Sequence, residues 1–339
     1  KYYPKIVGSI SDPIRLKGAY GVHVSGKYAY VTSQQYSGLI VVDISKPKKP
    51  KIIGSVQNTS LFYYAAGVDV NGNFAYVVSI LSNTLTVINI SNPAKPKIVS
   101  YITDSERLNG PTSIDVVWPY AYVTTGSDPG YITIVNISNP NNLSIVGAIG
   151  NGHTLDGGEG IFVSNGYAYM GTIGNTGFGD YFTIVNISNP QSPQVVGSVG
   201  GLVDIWDVYV KGEYAYAVEA AVGYGVPRLL VINISDPVKP TIVGSVNDSV
   251  KLAQARSLDI KGSYAYVVGP GARNFQLAVV DISNPFNPSI IYYITSNEYG
   301  SYTEQIDIDK RYAYITTAYN NLVIVDLFEK WSKKKILLY

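Results

Sequence analysis

The residues able to do chemistry in this chain are few. It has two histidines, His23 and His153, and no cysteine, so a multi-histidine metal centre, a thiolate site and a disulfide are all excluded. No Gly-x-Ser-x-Gly, phosphate-binding loop or dinucleotide fingerprint occurs. The densest local grouping is His153, Asp156 and Glu159 in the glycine-rich stretch Gly150–Gly160. Those types could bind a metal or act as acid and base, although the spacing matches no known motif and the glycines equally suit a flexible loop. Two further sets emerge by counting back from a recurring tetrapeptide, Tyr28-Ala29-Tyr30-Val31 and its six later copies. Five residues before each copy stand His23, Asp69, Asp115, Phe162, Tyr209, Asp259 and Asp307. Their four carboxylates could ring a cation, which wants several oxygen ligands, or could hydrogen-bond the backbone of an adjacent blade. Equivalence from copy to copy favours that scaffold role. Eight residues before stand Tyr20, Ala66, Thr112, Glu159, Trp206, Arg256 and Glu304, a mixed set that suits a ligand mouth or inter-blade packing with Glu159 or Glu304 paired to Arg256. Gly269–Arg273 reads as a turn before it reads as an anion-binding nest.

The elements that must position these residues follow from the repeat. The seven tetrapeptides start at Tyr28, Phe74, Tyr120, Tyr167, Tyr214, Tyr264 and Tyr312. An alternating apolar segment precedes each, and a β-branched run ending in Asp or Asn follows. A Pro-bounded turn then leads to a short strand such as Lys51–Val56. Four Val/Ile/Tyr-rich runs per repeat, punctuated by Gly, Pro and Asn, are antiparallel strands, and none of the chain shows a sustained 3.6-residue period. Four strands repeated seven times predict an all-β, seven-bladed β-propeller rather than a solenoid of similar period. Strands are labelled a to d from the channel outward. The a–b and c–d turns are short and uniform and share one face. The b–c and d–a loops share the other, vary in length and composition, and are where binding is expected. Outer-strand segments number eight against seven of each other kind, and the better match, Pro4–Ser9, is expected to complete the last blade beside Leu322–Leu327. The propeller then occupies residues 1–329. Residues 330–339 form a tail, lying along an outer edge or added as a strand to a neighbouring subunit.

Leu322-Val323-Ile324-Val325-Asp326, Leu39-Ile40-Val41-Val42-Asp43 and the Tyr-Ala-Tyr-Val strands resemble the LVIVD-repeat proteins, along the whole chain and in seven copies. The resemblance implies a propeller of secreted or surface-exposed bacterial or archaeal proteins and no shared chemistry. The chain departs from the pattern at Asn89, Asn136, Asn186 and Asn233, each standing where the family has Asp.

Composition narrows the function class. With 25 basic against 24 acidic residues there is no excess charge for a phosphate backbone, so nucleic-acid binding is not expected. No apolar run is long enough to span a membrane. Only 14% of residues are charged while 30 are Tyr, a polar but uncharged surface. Asn-x-Ser/Thr sequons occur at Asn58, Asn89, Asn136, Asn142, Asn186, Asn233 and Asn247. They are either turn caps or acceptors for N-linked sugar. Sequons, low charge and a first residue other than Met together point to an extracellular or cell-surface glycoprotein. The expectation is a non-catalytic interaction or structural module without a cofactor, binding protein or glycan through the variable face, where Tyr63, Tyr64, Tyr224, Tyr299, Tyr302 and Tyr319 fall. A sharper version is a subunit of a surface layer or filament held by the C-terminal strand. The alternative is a hydrolase or lyase with its site at the channel mouth around Glu159, Arg256, Glu304 and His153.

Overall fold

In the computed structural model, residues 2–174, 179–220, 225–271, 274–300 and 302–330 are described. They form 28 strands in seven four-stranded antiparallel sheets arranged as the blades of a propeller, with no helix among them. Blade 1 is typical: Ala19–Ser25, Tyr28–Ser33, Gly38–Asp43 and Lys51–Gln57 pair in chain order from the channel outward. The last blade is composite. The N-terminal strand β1 (Tyr2–Ser11) pairs with β28 (Asn321–Lys330), from Tyr2 opposite Lys330 to Ser11 opposite Asn321. The Pro4–Ser9 segment therefore closes the ring as its sequence indicates, and most of the tail, residues 331–339, lies outside the described residues.

The Tyr-Ala-Tyr tetrapeptide explains why the blades fit. Its Ala and its second Tyr point to opposite sides of strand b, as successive strand residues must. Every alanine at this place is fully buried, and each core cluster combines the second Tyr of one blade with the Ala of the next: Tyr30 with Ala75, Tyr76 with Ala121, Tyr169 with Ala215, and so round to Tyr314 with Ala29. A large ring on one face and a methyl on the facing sheet fill the wedge between blades to interior density.

Candidate functional site

The inner ring is a chain of inter-blade bonds. Asp69 accepts the Val116 N–H at 2.7 Å, Asp115 that of Val163 at 2.6 Å, Asp259 that of Ile308 at 2.7 Å, and Asp307 that of Val24. Each carboxylate thus grips the residue just after the equivalent position in the next blade. The three remaining junctions are made otherwise. His23 Nδ1 meets Asp69 at 3.0 Å, Phe162 packs on Tyr209 at 4.7 Å between centroids, and Asp207 accepts the Leu258 N–H at 3.0 Å and the Ser257 hydroxyl at 2.8 Å. Asp207 was not picked out from the sequence. Its signal was present, since blade 5 carries Tyr209 at the ring position and its Asp two residues earlier. Burial pushes the Asp115 carboxyl up to about 7, Asp259 to about 8 and Asp207 to about 6, and raises Asp69 and Asp307 despite His23 nearby. Among the described residues no three acids or histidines converge on one point as a metal cage would require. The ring residues do wall a vestibule of about 360 Å³ on the a–b turn side of the channel.

The second set converges, and the result is a plug. Tyr20, Thr112, Glu159, Trp206, Arg256 and Glu304 surround one cavity of about 20 Å³, room for a single water. Strand a carries a bulge at this set in six blades, which re-aims side chains at this level. Arg256 pairs with buried Glu304 and lies 4.6 Å above the Trp206 ring. Trp206 Nε1 is buried without a hydrogen-bond partner among the described residues. Glu159 is pushed up to about 8, first by burial and then by Asp207, against the opposing pull of Arg256. Thr hydroxyls of the preceding blades hold the backbone here: Thr32 donates to the Ala66 carbonyl and Thr124 to that of Glu159, both at 2.6 Å. The channel is therefore closed on the side where a mouth was expected and wider on the other.

His153 does not join this cluster. It is exposed, its ring 5.0 Å from that of Tyr181, while its N–H donates to Asn151. Asp156 is buried beneath the same loop. The grouping of His153, Asp156 and Glu159 is thus dispersed by a turn. That turn recurs beneath the varied composition of the d–a loops. Asp12, Asn58, Asp104, Asn151 and Asp248 each accept backbone N–H groups two and three residues on, and four residues on comes a fully buried plug: Leu16, Phe62, Leu108, Leu155 and Leu252. Gly271 stands in a turn, and Arg273 lies outside the described residues.

What does differ from blade to blade on this face is aromatic. Ten residues before each tetrapeptide the backbone is left-handed in all seven blades. Gly18, Gly110 and Gly157 take that conformation freely, whereas Tyr64 (φ 57°) and Tyr302 (φ 63°) take it at a cost of about 1 kcal/mol or more. Both are exposed, Tyr64 edge-on to exposed Tyr63 at 5.7 Å and Tyr302 stacked on exposed Tyr319 at 6.2 Å. Tyr299 instead turns inward onto Phe275 at 6.0 Å, and Tyr224 lies outside the described residues.

The sequons at Asn89, Asn136, Asn186 and Asn233 sit as turn caps: each Oδ1 accepts the N–H two residues on at 2.9 Å, as Asp43 and Asp281 do in their blades. Asn58 caps a d–a loop, and Asn142 and Asn247 are exposed. None of the seven is buried.

The LVIVD-repeat family model matches seven times, at residues 18–58, 64–104, 112–149, 158–200, 204–248, 253–295 and 300–332, one match per blade. The chain belongs to the LVIVD-repeat family. No curated protein matches its sequence. Among solved structures, this LVIVD-repeat propeller is similar to Kuenenia stuttgartiensis hydrazine synthase (TM-score 0.72, 13% identity, covering 94% of this chain and 97% of that one). It is also similar to virginiamycin B lyase from Staphylococcus aureus (0.69, 12%, 97% and 100%). A functionally unknown protein from Desulfotomaculum acetoxidans DSM 771 is a third match (0.64, 15%, 87% and 95%). At these identities the likeness is one of fold. No helix is long and apolar enough to cross a membrane among the described residues.

Proposed function

We propose that this LVIVD-repeat propeller is a secreted or surface-displayed, non-catalytic interaction module that binds a glycan or protein ligand through its d–a and b–c face. The observation that carries this reading is the pair Tyr64 and Tyr302, large exposed rings held in left-handed backbone where three other blades have Gly and two have the polar Asp204 and Gln254. Strain kept in place to present a side chain argues that the side chain is used, and Tyr supplies amphipathic contact area at low entropic cost. The plugged mouth adds support, since Arg256, Glu304, Trp206 and Tyr20 leave space for a water and not for a substrate. Seven accessible sequons and a low-charge surface suit an extracellular setting.

The test compares the full chain with a Tyr64→Gly/Tyr302→Gly variant for retention on envelope polysaccharide and envelope protein fractions of the source organism. Gly fits the left-handed backbone, so thermal stability should stay within about 1 kcal/mol of the parent, while retention on one of the two fractions falls at least tenfold. Equal retention of the two proteins would sink the reading.

The rival reading as a hydrolase or lyase rests on Glu159, a buried acid with its carboxyl raised to about 8, and on the fold shared with a lyase. It requires the Arg256–Glu304 plug to open. Assembly through residues 330–339 falls almost wholly outside the described residues; native mass spectrometry of the full chain against one ending at Glu329 tests it, and monomers in both would sink it.

A further inference from the structure

One backbone hydrogen bond recurs on the d–a and b–c face and fixes where its exposed rings stand. In blade 7 the Ala318 N–H donates to the Tyr302 carbonyl at 2.9 Å, in blade 1 the Gln34 N–H to that of Gly18 at 2.9 Å, and in blade 2 the Ile80 N–H to that of Tyr64 at 3.0 Å. Blades 3, 4 and 5 make the same bond from Gly126, Ile173 and Ala220. Tyr302, Gly18 and Tyr64 therefore hold equivalent places on consecutive blades, because ring closure makes blade 7 the neighbour of blade 1: Thr316 donates to the Tyr20 carbonyl as Thr32 does to that of Ala66.

Two aromatic pairs thus flank a blade that projects no side chain at this place. Gln34 and Gln35 lie against Gly18, their side chains 3.6 Å and 3.3 Å from where its Cβ would be, and neither amide makes a hydrogen bond among the described residues. Lys17 and Tyr319 are opposite one another in an antiparallel bridge, so their side chains share a side. The rings themselves are held. Asn321 Nδ2 donates to the Tyr319 carbonyl at 2.9 Å and to that of Tyr299 at 3.1 Å, and the Tyr63 N–H donates to the Ser82 hydroxyl at 3.0 Å. Facing sheets lie about 10 Å apart, so the two aromatic pairs, two junctions from each other, are separated by roughly 20 Å.

The order of groups along this strip separates the classes of ligand. A protein interface puts its aromatic anchors at the centre and its polar groups at the rim. Here the aromatics stand at the ends and two amides with one ammonium, Lys17, stand between them. A sugar ring has an apolar C–H face that suits an aromatic ring and a rim of hydroxyls that suits amides. Rings already fixed in place bind it without a large ordering cost.

On the reading that this face binds a ligand, we propose that the ligand is an oligosaccharide laid across the ends of blades 7, 1 and 2. One sugar stacks on Tyr302 and Tyr319, another on Tyr63 and Tyr64, and the hydroxyls of those between meet Gln34 and Gln35.

The test is calorimetric titration of the full chain with disaccharides and octasaccharides, size-fractionated from hydrolysed envelope polysaccharide of the source organism. Octasaccharides should bind at least tenfold more tightly than disaccharides. Tyr64→Gly and Tyr302→Gly, made singly, should each abolish that gain while keeping the thermal midpoint, since Gly fits the left-handed backbone. Equal binding of the two lengths, or a gain lost in only one of the variants, would overturn the proposal. Retention on the envelope protein fraction alone would overturn the oligosaccharide and leave the interaction module standing, whereas retention on neither fraction would overturn both.

Discussion

At the scale of single residues, the chain uses its few charges as clamps. Arg256 is the clearest case: it neutralises Glu304, lies on Trp206 and faces Glu159, all inside one enclosed space. Removing one partner of such a pair strands a buried charge, whereas replacing both with apolar residues can be neutral. Arg256→Ala should therefore lower unfolding free energy by roughly 3–5 kcal/mol, and Arg256→Met/Glu304→Leu should recover most of it; urea midpoints of the three proteins decide this. The pairing of Arg256 with one of two acids was legible in the sequence, since equal offsets from seven equivalent tetrapeptides placed them at one level. Which acid took the arginine was not, because that depends on how the bulged strands aim their side chains.

At the scale of elements, small residues set the spacing between blades. Ala215 and its six counterparts each face a Tyr of the blade before, and Gly197 faces the Pro237 carbonyl. Ala215→Val should cost about 1–3 kcal/mol by overpacking, and Gly197→Ala should cost more than that, because the neighbour it meets is backbone. Thermal unfolding of both against the parent is the measurement; a Gly197→Ala midpoint at or above the parent's would refute the close-approach account. The repeated strands and their order were readable from β-branched runs and turn residues. The recurrent d–a turn is not legible in the sequence, because its capping residue alternates between Asp and Asn and its buried residue between Leu and Phe, so identity hides what hydrogen bonding repeats.

At the scale of the whole molecule, closure and acidity dominate. A ten-residue strand from each chain end pairs in blade 7, so opening the ring means breaking that sheet. Carboxyls also divide into two populations. Asp115, Asp207, Asp259 and Glu159 are raised by burial to between about 6 and about 8, against an unfolded value of about 4. The folded state therefore binds extra protons between those limits, and their contribution to stability is present at low pH and lost as pH rises from about 4 to about 8. Asp12, Asp43, Asp104, Asp248 and Asp326 are lowered by hydrogen bonds and, for all but Asp43, by a paired Arg or Lys, so their contribution is lost as pH falls below about 4. The thermal midpoint should rise by several degrees from pH 8 to pH 5 and fall again below roughly pH 3.5. Asp115→Asn/Asp259→Asn should flatten the upper limb. A midpoint that climbs steadily with pH would contradict this division.

Local rules were enough for the blade. Strand period, Pro and Gly punctuation and the fixed place of Tyr-Ala-Tyr specify four strands and seven copies, because each is a property of neighbouring residues. Even the closing strand could be chosen, since Pro4–Ser9 matches the repeat and the C-terminal segment does not match it as well. Tertiary structure alone decided what happens between copies. It turned the ring carboxylates into backbone clamps by bringing an N–H of the next blade to each. It filled the expected mouth by letting six unlike side chains meet at one level. It also left the blade 6–blade 7 junction without a c–d turn, because the outer strand of a ring closed by its two chain ends comes from the other end. These outcomes depend on distances between residues some 46 to 50 apart in the chain, and 283 apart where Asp307 meets Val24, which no local pattern encodes.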